Sequence, residues 1–105
     1  MKQLRFTPSA QGDLVRLFQW YEKKASTDPV KISAEVDRTT EKLVRNPVRY
    51  AKVPGCPATR DVRITATKKR KMIVIYETTG TEVVILSLSH KSAKRRPWRK
   101  RLDEA

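Results

Sequence analysis

Cysteine occurs once in these 105 residues, at Cys56. One thiol excludes an internal disulfide and any cysteine cluster able to hold zinc, and a lone thiol fits a reducing cytosol. Histidine also occurs once, at His90. No metal constellation, glycine-rich phosphate loop or catalytic triad is visible, so neither a metal nor a cofactor is expected. No apolar run approaches the roughly 18 residues that a membrane span needs, so no membrane partner is expected. The N-terminus, Met1 to Phe6, has no apolar signal-peptide core before Pro8, which makes a cytoplasmic protein the expectation. Acidic residues are the other shortage. There are 11 Asp and Glu against 24 Lys and Arg, a net charge of +13. That imbalance points to an anionic partner: nucleic acid, a nucleoprotein or an acidic protein.

What the chain does contain is grouped apolar sequence, 38% of its residues, enough for one domain with a modest core. The central stretch is Lys71 to His90. Met72 to Tyr76 and Val83 to Leu88 are strand-length runs of β-branched, aliphatic and aromatic residues. Between them lies a short polar segment with Gly80, which can take the positive φ of a tight turn, and the whole reads as a β-hairpin. Neither run alternates strictly, which suggests central strands covered in part on both faces.

Ahead of the hairpin, Leu4 and Phe6 alternate with Gln3 and Arg5, a short first strand. Thr7-Pro8 and Asp28-Pro29 each pair a capping side chain with a proline suited to the first helical position. The first helix should run to about Lys24, with Ala10, Leu14, Leu17, Phe18 and Tyr21 as its apolar stripe. The second should run to about Asn46, where Pro47 stops it, burying Ile32, Val36, Thr40 and Leu43 with Val44 at the edge. The short link predicts an antiparallel helical hairpin. A loop with Pro54, Gly55 and Pro57 leads to a strand over Thr59 to Thr65, with Arg60, Val62 and Ile64 on one face and Asp61, Arg63 and Thr65 on the other. The expectation is an α+β fold, β-α-α-β-β-β, an antiparallel sheet with a two-helix hairpin packed on one face.

Residues 1–90 form the expected domain and 91–105 a basic C-terminal tail. Between Lys91 and Arg101, seven of eleven residues are cationic, with Trp98 among them. Pro97 interrupts any helix, and disorder without a partner is one expectation for such a segment.

The order of elements, the start Phe6-Thr7-Pro8-Ser9-Ala10-Gln11-Gly12-Asp13-Leu14 and the stop Leu43-Val44-Arg45-Asn46-Pro47 resemble the RelE/ParE superfamily. So do Arg60-Asp61-Val62, the strand ending in Tyr76, and Val83 to His90. The resemblance covers roughly Leu4 to His90. It implies the toxin component of a type II toxin–antitoxin system, held silent by a cognate antitoxin with an acidic or amphipathic segment. The superfamily divides on target. A RelE-like member cuts mRNA on the ribosome; a ParE-like member poisons DNA gyrase and is not a nuclease. The helical hairpin opening with Thr-Pro-x-Ala-x-x-Asp-Leu is similar to the ParE branch, and the charge and basic tail to the ribosome branch.

Cutting RNA through its 2′-hydroxyl needs a base, an acid and cations around the phosphate. His90, at the rim where the last strand ends, and Arg63, able to hold a phosphate bidentately, are the candidate catalytic residues if the chain is an RNase. The bland alternatives are a His90 that caps the strand end by hydrogen bonding and an Arg63 paired with Asp61. RNA-cutting relatives carry an arginine three positions before the tyrosine that matches Tyr76; here that position is Ile73. Tyr76 reads as a core or cross-strand residue rather than a catalytic acid. Whether the chain is an enzyme stays open, with a slight lean to the ParE-like reading. Candidate target or nucleic-acid contacts are Arg60, Lys68, Lys69, Arg70, Lys71, Lys91, Lys94, Arg95, Arg96 and Trp98, the last as a stacking surface. The reading from a different class is a non-toxic basic nucleic-acid-binding module.

Overall fold

A threonine and an aspartate, each followed by proline, open the two helices. In the computed structural model, which describes residues 2–105, β1 (Gln3–Phe6) leads into α1 (Pro8–Ala25). Thr7 is extended, and its hydroxyl accepts the Ala10 N–H at 3.1 Å. The α1 helix ends at Ser26, which takes the left-handed conformation at φ 48°. Asp28 then caps α2 (Pro29–Arg45) by accepting the Val30 N–H at 2.9 Å. The link between the helices is three residues, as a tight αα-hairpin requires.

The remaining strands are β2 (Val62–Ala66), β3 (Ile73–Thr78) and β4 (Glu82–Ser89), and the sheet order is β1-β4-β3-β2. β2, β3 and β4 are antiparallel, but β1 lies parallel to β4, with Gln3 opposite Glu82 and Phe6 opposite Ile85. The sheet is therefore mixed rather than antiparallel throughout. Parallel neighbours need a long crossover, and here everything from the helical hairpin through β3 supplies it. β2 begins at Val62 rather than Thr59, because the chain turns first, with the Arg60 N–H on Pro57 O at 3.1 Å.

Gly80 is not at positive φ. Thr79 closes the β3–β4 turn instead: its N–H donates to Glu82 O at 2.9 Å, and its hydroxyl accepts the Glu82 N–H at 3.0 Å. Positive φ appears one turn earlier, at Lys71 (56°), where β3 is about to begin.

Both faces of β3 and β4 are covered, which is why neither alternates in sequence. The helical face buries Ala10, Leu17, Tyr21, Ile32, Val36 and Leu43 against Met72, Val74, Tyr76, Val83, Ile85 and Leu88. On the opposite face Val62, Ile75, Val84 and Leu86 form a second core with Val53. The register slips between Ile75 and Tyr76, which leaves Leu86 as an extra residue on β4. This bulge shifts the phase of the strand, so that Leu86 faces the second core while Leu88 rejoins the helical one.

The C-terminal segment does not hang free. Trp98 and Leu102 pack on the second core, and Lys100–Glu104 form a 3-10 turn. Two apolar side chains four residues apart seat it on the sheet, with Arg101 and Glu104 making polar ties to Asp13 and Ser9, where the apolar count alone suggested a tail. Among the described residues no helix is long and apolar enough to cross a membrane.

Candidate functional site

The C-terminal end of β4 is where the chain concentrates unusual chemistry. β1 stops opposite Ile85, so the rest of β4 has no strand on that side. Side chains meet the backbone there instead. Asp13, 7% exposed on the buried stripe of α1, accepts the Leu88 N–H at 3.0 Å. Arg101 donates to Leu86 O at 3.0 Å and pairs with the Asp13 carboxylate. Arg16, one turn along α1, donates to the same carboxylate at 2.6 Å.

Beside this cluster lies a pocket of about 380 Å³ lined in part by Trp20, Leu88, Ser89, His90, Arg95 and Pro97. His90 stacks face to face on Trp20, with centroids 4.1 Å apart and planes 9° from parallel. Its Nδ1 and the Ser89 hydroxyl are both buried without a hydrogen-bond partner among the described residues. The expected capping hydrogen bond is therefore absent at Nδ1, and aromatic stacking is what fixes the ring.

Arg63 is on β2, opposite Tyr76, which is opposite Ile85 on β4; Ser89, just before His90, is opposite Ile73. Two strand spacings, roughly 10 Å, and about four residues of register, roughly 13 Å, therefore separate His90 from Arg63. The Arg63 guanidinium is also occupied. Nε donates to Asp61 at 2.8 Å, and Nη1 donates to Val48 O at 3.0 Å and Tyr50 O at 2.6 Å. Tyr76 is buried with its hydroxyl on Pro47 O at 2.5 Å, and burial pushes its pKa up to about 12. The fold thus keeps the imidazole, the guanidinium and the phenol in separate settings.

A family model described as "ParE toxin of type II toxin-antitoxin system, parDE" matches residues 4–95. This chain belongs to the ParE toxin family. Among solved structures, the chromosomal ParDE TA system from P. aeruginosa matches with a TM-score of 0.68 at 19% identity, over 86% of this chain and 96% of that one. At that identity the likeness speaks for the fold. No curated protein matches.

The other cations of this ParE-family chain fall into two groups. Some are structural. Arg60 pairs with Glu77, a carboxylate only 4% exposed, with Nη2 at 2.8 Å from Oε1, and that bond raises the Arg60 pKa. Arg70 is held by Glu35, which is 2% exposed on α2. Others are exposed: Lys68, Lys69, Lys71, Lys91, Lys94, Arg95 and Arg96. Trp98 is half-buried on the second core, with the Arg99 guanidinium 4.6 Å from its ring centre. That placement leaves it one partly open face rather than a free stacking surface. The buried acids Asp13, Glu35 and Glu77 were not singled out from sequence. A signal was present for the first two, since each occupies a helical position in line with buried apolar residues.

Proposed function

We propose that this ParE-family toxin stops bacterial growth by inhibiting DNA gyrase, without cutting RNA. It is held silent until needed by a cognate antitoxin. The observation that carries the non-nucleolytic half of this reading is the occupied Arg63 guanidinium, which spends its donors on Asp61, Val48 O and Tyr50 O; gyrase as the target rests on membership of the ParE family. A phosphate clamp needs those donors free. Two further features support the reading. Tyr76 is buried with its proton bound tightly, a poor acid for a leaving oxygen near neutral pH. Ile73 occupies the position where an RNA-cutting site would place a cation.

For the antitoxin, the groove of about 350 Å³ between β1, α1 and α2 is lined by Phe6, Leu14 and Val36, with Asp37 and an Arg5 already paired with Glu82. The apolar face of an amphipathic segment matches that chemistry.

The test has two arms on purified protein. Gyrase supercoiling and DNA-cleavage assays should show inhibition. Translating ribosomes with mapped mRNA ends should show no new cuts. Codon-positioned cuts that disappear in His90→Ala or Arg63→Ala would reverse the assignment to ribosome-dependent cleavage. Normal growth on induction, with soluble protein present, would remove the toxin reading and favour a basic binding module.

A further inference from the structure

A second concentration of exposed charge lies where the β2–β3 turn meets α2. Glu35 is buried on α2, and its carboxylate accepts from the Thr67 hydroxyl, from the Arg70 backbone N–H at 2.7 Å and from the Arg70 guanidinium at 2.6 Å. Thr67 also takes the Met72 N–H on its hydroxyl at 3.0 Å and gives its own N–H to Met72 O at 2.8 Å. The chain between β2 and β3 is thus tied to α2 through Thr67 and Arg70 and closed on itself between Thr67 and Met72. The tight turn, closed by Lys71 in the left-handed conformation, is a rigid mount. It presents Lys68 and Lys69 beside Arg38 and Lys42, which lie one helical turn apart on α2.

These four side chains, with Thr39 and Glu35, line an open cleft of about 530 Å³. All four are exposed, and none takes part in an ion pair among the described residues. The one lining acid, Glu35, has both oxygens committed to the turn. The cleft is therefore a concavity of uncompensated positive charge on an anchored turn.

We propose that this cleft binds the phosphate backbone of duplex DNA. Its lining decides among anionic partners. Its apolar surface comes from the stems of Arg38, Lys42, Lys68 and Lys69 rather than from any aliphatic or aromatic residue, so it offers no hydrophobic pocket for the large anchor residues of an amphipathic peptide. It also lacks an aromatic ring, so it has nothing on which an unpaired base would stack. What remains is recognition of closely spaced phosphates by lysine and arginine, which is independent of base sequence. This site does not depend on gyrase being the target, because the binding is measured without that enzyme.

The experiment is fluorescence anisotropy of the full chain with a labelled mixed-sequence duplex of about 20 base pairs, between 50 and 200 mM salt. Binding should weaken steeply with salt. Each phosphate neutralised contributes about 0.9 to the slope of log K against log salt. The double variant Lys68→Gln with Lys69→Gln should lower the slope by about 2, and Arg38→Gln with Lys42→Gln by a similar amount. Affinity at 100 mM should fall at least about tenfold in each. The charge-retaining Lys68→Arg with Lys69→Arg pair should bind as the wild type does, which separates charge from folding. Four results would overturn the proposal: no duplex binding at 50 mM salt; an unchanged slope in both cleft pairs while Arg95→Gln with Arg96→Gln abolishes binding; tighter binding of the matching single strand; or a glutamate-rich peptide displacing the duplex at equal charge concentration.

Discussion

Arg101 and Asp13, 88 positions apart in the chain, share an ion pair directly over the bulge of β4. Each also satisfies one backbone group of that strand, Arg101 the carbonyl of Leu86 and Asp13 the N–H of Leu88. Glu104 adds a second tie: it accepts the Ser9 N–H at 2.8 Å and so serves the first turn of α1. The C-terminal segment is in this way bolted to both β4 and α1. Removing Asp13 leaves the Arg101 charge and the Leu88 N–H unmet, whereas removing Arg101 strips a partner from Leu86 O and one of two cations from Asp13. Asp13→Ala should cost on the order of 3 kcal/mol. Arg101→Ala should cost less, about 2 kcal/mol, because Arg16 and the Leu88 N–H still serve Asp13. Urea denaturation of both single variants and the double variant checks the order and gives the coupling; independent, additive losses would refute the pairing.

Trp98 covers the second core beside Val84 and Leu86. Truncating it to Ala should destabilise the fold by about 2 kcal/mol, below the range for a fully buried Trp because one side stays open. Trp98→Phe should recover most of that loss. A stacking role on unpaired bases predicts the opposite pattern, with unchanged stability and lost oligonucleotide binding. Urea melts of both variants, with fluorescence quenching by a short single strand, distinguish the two.

The legible part of this molecule was its apolar rhythm. Ala10, Leu17 and Tyr21, like Ile32, Val36 and Leu43, mark their helices by spacing alone, and Thr7-Pro8 and Asp28-Pro29 mark where the helices start. Pairing partners are a different matter. Nothing local in Gln3–Phe6 specifies β4 as its neighbour or a parallel alignment; that choice depends on contacts made across the whole chain. The arginines posed the same difficulty. Arg60 and Arg70 looked like free cations because charge counts treat every cation as solvated, yet Glu77 and Glu35 had claimed them; only the Arg63–Asp61 pair was offered by the alternation of the strand, as one of two alternatives. Asp13, three residues after Ala10 and four before Leu17, was the clue: an acid within an apolar stripe must find a buried partner.

His90 offers a sharper test of role. Its ring lies flat on Trp20 while its Nδ1 is buried and unmet. Phenylalanine preserves the stacked face and removes the unsatisfied nitrogen. His90→Phe should therefore be as stable as the wild type or gain up to about 1 kcal/mol, and it should still arrest growth when induced. His90→Ala should lose about 1 kcal/mol through the missing stack. Growth arrest abolished in a stably folded His90→Phe variant would mean that the imidazole itself does chemistry.

Glu35 should make the fold acid-sensitive. Burial alone would raise its pKa, but hydrogen bonds from Thr67 and Arg70, with the charge of Arg70, outweigh this and hold it below the usual carboxylate value. A folded-state pKa lower than the unfolded one means that the unfolded chain binds the proton more readily. The stabilisation is thus complete above the unfolded carboxylate pKa, about 4.3, and is lost as the pH falls below it and through the folded value. Glu35→Gln keeps the shape but loses the charge. It should lower Tm at pH 7, leave Arg70 poorly compensated, and show a smaller further fall in Tm between about pH 5 and pH 3 than the wild type. A wild-type Tm that declines over that range no more steeply than the variant's would show that Glu35 does not hold the β2–β3 turn through its charge.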